Sequence, residues 1–205
     1  MANVRTFWLE PTDNERLWLR RYSLRDGREC ASGYKYHNAM FLIGESPIVW
    51  AQEDSRVIAP RDSRMPPVQD PRWPAKCEHC DYTFAPDDEY QLFGRTLYRR
   101  ADTGEITTIE DAPDGAMWNA YWTSRWQPDG RNLMVKVPGG ATWHIDGRAS
   151  NCDMPEDGQH RCWVRHGEPP LLTVDKNGHT CNAGGGSIQT NNWHGHLVNG
   201  EFIPC

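Results

Sequence analysis

Downstream of three glycines, a serine stands close to two histidines: Cys181-Asn182-Ala183-Gly184-Gly185-Gly186-Ser187-Ile188, then Trp193-His194-Gly195-His196-Leu197. These residue types can carry acyl transfer, in which an imidazole takes the serine proton and nearby amides stabilise the oxyanion that forms. Glycine freely adopts positive φ and approaches a ligand closely, so the backbone of Gly185, Gly186 and Ile188 is a candidate oxyanion site. Ser187 is then the nucleophile and His194 the base. His196 falls on the same side of a regular strand and is the alternative base. Asp175 is the first choice to orient the imidazole, with Asp146 and Glu201 as alternatives. The plainer alternative is structural: residues 184–186 form a bulge or tight loop, Ser187 starts a strand, and both histidines are half-exposed. Metal-dependent hydrolysis through His194, His196 and Asp175 or His166 ranks lower, because no carboxylate stands beside the pair as a general base.

The second chemistry-bearing pattern is Cys77-Glu78-His79-Cys80. Its C-x-x-C spacing suits a zinc knuckle, a tight turn that aims two thiolates at one ion while its amides hydrogen-bond to sulfur. One pair is half a tetrahedral site, and the chain has no second C-x-x-C. Cys152 and Cys162 are the leading remote ligands for a structural zinc, with Cys30, His37, His79 and His160 in reserve. The alternatives are small buried thiols or a redox pair. The 7 cysteines are an odd number, so at least one has no intramolecular disulfide partner, which favours a reducing compartment. Cys205 is the one expected to be unpaired.

A chain of 205 residues suits one compact unit with a divided core. Residues 59–74, rich in proline, form the candidate connector, and residues of about 130–205 a C-terminal β module. Ten tryptophans with a mean hydropathy of -0.78 describe a polar, loop-rich chain that relies on a few large aromatic anchors. The net charge of -6 makes nucleic acid an unlikely partner, since phosphate binding needs a basic face. Arg95, Arg99 and Arg100 read as a solvated strand face. No basic start followed by an apolar run, and no bilayer-length apolar stretch, is present. A cytoplasmic location is expected, or the virion if the protein is structural.

Turn signals are dense and helical periodicity is scarce, so the elements that position these residues should be short antiparallel strands. Strands are expected at residues 7–9 and 17–22, at 91–99 paired with 106–109, and in hairpins at 132–146, 171–178 and 194–202 around Asn199-Gly200. Residues 86–91 read as one helical turn. Residues 116–126 read as a helix with Met117, Trp118, Tyr121 and Trp122 on one apolar face. The fold class is mainly β, or α+β, with one or two short helices and a possible zinc knuckle.

The whole chain resembles an uncharacterised family from phages, prophages and actinobacterial genomes. The likeness runs through Phe7-Trp8-Leu9-Glu10-Pro11-Thr12, Asp70-Pro71-Arg72-Trp73-Pro74, the Cys77–Cys80 motif, residues 97–104, Gly115-Ala116-Met117-Trp118, residues 162–170 and Thr173-Val174-Asp175-Lys176. Residues Gly186-Ser187-Ile188, His194, Leu197 and Asn199-Gly200-Glu201 are similar to a phage-associated domain ending in a Ser-Ile strand and a His-containing hairpin. Some relatives of that domain sit in bacterial ubiquitin-like conjugation operons and are thought to act as serine peptidases. The resemblance implies Ser187 as nucleophile and His194 as base, acting on a peptide or isopeptide bond of a protein or peptide partner. This chain has Gly186 where those relatives usually have proline. A competing expectation is a non-enzymatic, zinc-stapled virion or host-interaction protein, with Trp122, Trp126 or Trp193 anchoring a partner.

Overall fold

The computed structural model describes residues 2–24, 29–48, 64, 66, 67, 69–123, 129–145, 147–149, 151–155, 160–183 and 186–205. Those residues form strands and turns with no helix, so the protein is mainly β. Among the described residues no helix is long and apolar enough to cross a membrane. The chain divides into two compact units, one of residues 1–11 and 98–205 and the other of residues 12–97. The 59–74 stretch belongs to the second unit, and its residues 59–63, 65 and 68 lie outside the described residues. So do Trp126, Asp146, Gly184 and Gly185.

Strand β1 is Val4–Arg5, and β2 runs unbroken through Phe7–Ser23, merging two strands expected separately. The antiparallel partner of β2 is β3, His37–Pro47, which sequence reading missed. Alternation of buried Leu17 and Leu19 with half-buried Trp18 and Arg20 marks one covered face. The register slips between Leu17 and Trp18, opposite Gly44, whose φ of +151° suits a bulge glycine. Strand β4, Glu89–Arg100, pairs with β5, Ile106–Thr107, as expected. The expected helical turn at 86–91 is instead a tight turn leading into β4. Asp88 is buried there, and its Oδ2 accepts the Ala85 amide at 2.7 Å and the Tyr82 hydroxyl at 3.1 Å.

The expected helix at 116–126 is corrected to β6, Ala116–Asn119, parallel to β2 and antiparallel to β7, Leu133–Lys136. Ala116, Met117 and Trp118 are all at most 2% exposed. A strand covered on both faces reads as a continuous apolar run, which periodicity cannot tell from a buried helix. Met117 faces one core cluster, with Val135, Ile145 and Leu197, while Ala116 and Trp118 face another, with Phe7, Leu9 and Tyr98. Tyr121 and Trp122, assigned to the helix's apolar face, are 59% and 55% exposed. The hairpin of β7 with β8, Thr142–His144, forms as expected.

The remaining strands build the sheet that carries the serine. They are β9 (Val164–His166), β10 (Thr173–Asp175), β11 (Ile188–Gln189), β12 (His194–Val198) and β13 (Glu201–Pro204). Their order is β1-β13-β12-β10-β9, with β11 also on β12. The β12–β13 hairpin turns at Asn199 and Gly200, with φ of 47° and 73°, the doubly positive signature of a type I′ turn. The expected hairpin over 171–178 does not form, because β10 pairs backwards with β9 and sideways with β12. Its inner face packs Leu172, Val174, Ile188, Leu197 and Phe202 into the core. Trp193, an expected surface anchor, is 3% exposed and packs edge-on against Phe202 at 5.1 Å.

Candidate active site and metal centres

Strand alternation decides which side chains meet at the serine. On β12, Gly195 and Leu197 point inward, so His194, His196 and Val198 point outward. On β11, Ile188 lies opposite Gly195 and is 1% exposed in the core. Ser187, one residue earlier, therefore faces outward with the histidines. Its Oγ lies 2.7 Å from His194 Nε2, so the nucleophile and base named from the sequence are hydrogen-bonded. On the inward face Gly195 has no room for a side chain. A Cβ there would sit 2.3 Å from the Ile203 carbonyl oxygen and 2.4 Å from the Trp193 ring. Gly186 has open space about its Cα and is not among the glycines at positive φ, so it meets the loop without the left-handed backbone expected of it.

His196 is engaged differently. Its Nδ1 lies 3.1 Å from the Gly186 carbonyl oxygen, which can only accept, so Nδ1 carries the proton. Asp175 does not reach His194. Its Oδ1 lies 2.9 Å from His166 Nε2 and also accepts the Asn177 amide at 2.7 Å. The cause is register: Asp175 stands opposite Val164 on β9, diagonal to His166 on the same face. Burial pushes the Asp175 carboxyl up, but the Asn177 amide and the His166 imidazole outweigh it and hold it below the usual carboxylate range. Glu201 lies on β13 opposite Val198, at the far end of β12 from His194. Among the described residues no carboxylate hydrogen-bonds to His194, whose side-chain partners are Ser187 and Cys205. The assembled site is a dyad.

All seven cysteines are free thiols, and six of them gather with two histidines into two clusters. Cys30, His37, Cys77 and Cys80 form one; Cys152, His160, Cys162 and Cys181 form the other. Within each, the four ligand atoms lie within 4.8 Å of one another, a donor set able to hold a metal ion. The single ligand set expected from Cys77, Cys80, Cys152 and Cys162 is thereby corrected: the two pairs belong to different clusters. His79 serves as backbone only, its amide donating to Cys77 Sγ at 3.5 Å, as a knuckle turn requires.

The first cluster is built from two turns. Cys77 and Cys80 sit in a small hairpin closed by Cys77 N donating to the Tyr82 carbonyl at 2.9 Å and Phe84 N to that of Ala75 at 2.9 Å. Cys30 opens a turn closed by the Gly33 amide at 2.8 Å. His37 starts β3, is 3% exposed, and stacks on Tyr82 with ring centroids 4.2 Å apart. Hydrogen bonds from the Ser32 side chain and amide bring the Cys30 thiol down to about 6. In the second cluster, Thr180 N donates to the Arg161 carbonyl at 3.0 Å, setting Cys181 beside Cys162. Burial pushes the Cys152 thiol up, but the Arg148 guanidinium, 3.4 Å from Sγ, and the Met154 amide outweigh it and bring it to about 6. Burial pushes Cys162 up to about 11.

A tetrahedral zinc with Zn–S about 2.3 Å and Zn–N about 2.0–2.1 Å sets S···S near about 3.8 Å and S···N near about 3.6 Å. The first cluster has Cys30–Cys77 at 3.7 Å, Cys30–Cys80 at 3.9 Å and His37 Nδ1–Cys80 at 3.1 Å. The second has Cys162–Cys181 at 3.4 Å, with His160 Nε2 at 3.0 Å from Cys152 and 3.2 Å from Cys162. These separations lie within about 0.6 Å of the ideal spans, so each donor set could hold one metal ion. Sequence reasoning held Cys30, His37 and His160 in reserve and did not count Cys181 as a ligand. The alternating His160-Arg161-Cys162 was the available signal, since such a pair places both side chains on one side of an extended chain. Comparison with protein-family models, with curated proteins and with solved structures gives no match.

Proposed function

We propose that this protein is a Ser-His hydrolase carried on a scaffold stapled by two structural zinc ions. The observation that carries the reading is the 2.7 Å approach of Ser187 Oγ to His194 Nε2 on the outer face of the sheet. His194 takes the hydroxyl proton as Oγ attacks an acyl carbon, and the amides of Gly186 and Ser187 are the candidate donors to the oxyanion, the Ile188 amide being paired with Gly195 across the β11–β12 ladder. His194 returns the proton to the departing amine, and then activates the water that releases the acyl group. The half-buried serine beside an exposed imidazole suits a bond presented at the protein surface, in a peptide or isopeptide linkage of a protein partner. The resemblance of the Gly186–Ile188 and His194 segments to the phage-associated peptidase-like domain supports the same substrate class.

Zinc supplies rigidity here, since structural Cys3His sites are closed to substrate. Cys181, held in the second cluster, begins the segment that leads to Ser187, so an ion there anchors the nucleophile's loop. The test is a fluorophosphonate probe followed by mass spectrometry of the adduct. One adduct at Ser187, lost in Ser187→Ala and in His194→Gln with zinc content and circular dichroism unchanged, is the expected result. Absence of any adduct at Ser187 in the folded, zinc-loaded protein overturns the hydrolase reading and leaves the zinc-stapled binding module.

A further inference from the structure

Beside the serine pair stands a second nucleophile and base that the proposed hydrolysis does not use. Cys205 follows β13, and its amide donates to the His194 carbonyl at 3.1 Å, extending the β12 ladder by one residue. Its exposed Sγ lies 3.6 Å from His196 Nε2 and 3.9 Å from His194 Nε2, both within reach of a sulfur hydrogen bond. The two imidazoles are not equivalent. His194 Nε2 is occupied by Ser187 at 2.7 Å. His196 has its Nδ1 proton committed to the Gly186 carbonyl, so the neutral ring presents a lone pair on Nε2 toward sulfur. That arrangement is a thiol, a base, and a backbone group that fixes the base's tautomer.

We propose that Cys205 and His196 form a second reactive site, a base-assisted thiol that undergoes exchange with small-molecule disulfides. His196 Nε2 takes the Cys205 proton, and the thiolate attacks one sulfur of the disulfide. A new S–S bond forms as the old one breaks, and the departing thiolate recovers the proton from His196. Cys205 is the cysteine outside both metal clusters, so the exchange leaves the six clustered cysteines in place. The chemistry is also separable from that of Ser187, because disulfides react with thiols and fluorophosphonates with serine hydroxyls.

The experiment uses the full, zinc-loaded chain and the aromatic disulfide dithiodipyridine at neutral pH, following thiopyridone release and locating the adduct by peptide mass. The expected result is one fast equivalent at Cys205, absent in Cys205→Ser. His196→Gln is expected to lower its rate constant by at least about tenfold, a floor set below the roughly 10²–10⁴-fold that general-base catalysis typically contributes. His166→Gln, which changes an exposed histidine elsewhere on the sheet, is expected to leave the rate unaltered. The proposal is overturned if His196→Gln reacts as fast as wild type with zinc content retained, or if a clustered cysteine reacts before Cys205. Fluorophosphonate labelling of Ser187 on the same samples is a separate readout, so failure of either site is seen independently.

Discussion

Replacing one cluster cysteine should remove one metal ion and leave the other. Cys77→Ser takes a ligand from the first cluster and Cys162→Ser from the second, and no residue is shared between them. The size of the effect follows from the geometry. Each set offers three sulfurs and one nitrogen within 4.8 Å of one another, with Cys30–Cys77, Cys30–Cys80 and Cys162–Cys181 at 3.7, 3.9 and 3.4 Å. A closed structural zinc contributes an apparent free energy of about 10–16 kcal/mol at neutral pH. A folded domain holds only about 5–15 kcal/mol of net stability. Loss of an ion should therefore open the region around its own cluster. Native mass spectrometry of the untagged protein should find two zinc ions in the wild type and one in each variant. Hydrogen exchange should rise around residues 30–37 and 75–84 in Cys77→Ser, and around residues 149–163 and 180–183 in Cys162→Ser. A wild type holding a single ion, with all metal lost in either variant, would refute the assignment and restore one shared site. So would full stability in a strong chelator.

Further outcomes follow from single positions. Gly195→Ala places a methyl against the Ile203 carbonyl and the Trp193 ring, at 2.3 and 2.4 Å. It should cost about 1–3 kcal/mol or more in chemical denaturation, and wild-type stability would mean the strand does not pack as described. Leu197→Ala, at a side chain 0% exposed, should lose about 2–5 kcal/mol in the same assay. Asp175→Asn should alter the rate of fluorophosphonate labelling by less than about twofold, because that carboxylate serves His166; a loss of about tenfold would mean it reaches His194. Burial pushes the Tyr98 phenol up to about 12, a folded value above its unfolded one. Stability linked to it is complete below about pH 10 and falls as pH rises through about 12. Absorbance titration should show a late phenolate near pH 12 that disappears in Tyr98→Phe.

The strand content and several hairpins were legible because turn chemistry is local. Asn199-Gly200 and Pro138-Gly139-Gly140 sit where β12–β13 and β7–β8 reverse. The pairing of Ser187 with His194 was legible for the same reason, since seven residues and one turn bring Gln189 opposite His194. Strand β6 was misread as a helix because burial on both faces erases the alternation that identifies a strand. The hairpin assigned to 171–178 failed because a turn signal does not say which neighbouring strand will pair. Asp175 was misassigned for a related reason, as its partner depends on the register between β9 and β10.

From the amino acids alone came the chemical inventory: a serine and two histidines near one turn, cysteines in odd number, a knuckle spacing, and helical patterns scarce enough to make sheets the main architecture. Tertiary structure alone decided how the thiols were shared out. Cys30 and His37 reach Cys77 and Cys80 because β3 folds back along β2, and Cys181 reaches Cys162 because the chain returns past Arg161. The physical reason is that a metal donor set is a statement about distances of a few ångströms between residues tens of positions apart. Local propensity governs only neighbours along the chain, whereas sheet register and core packing set which distant segments come within that range.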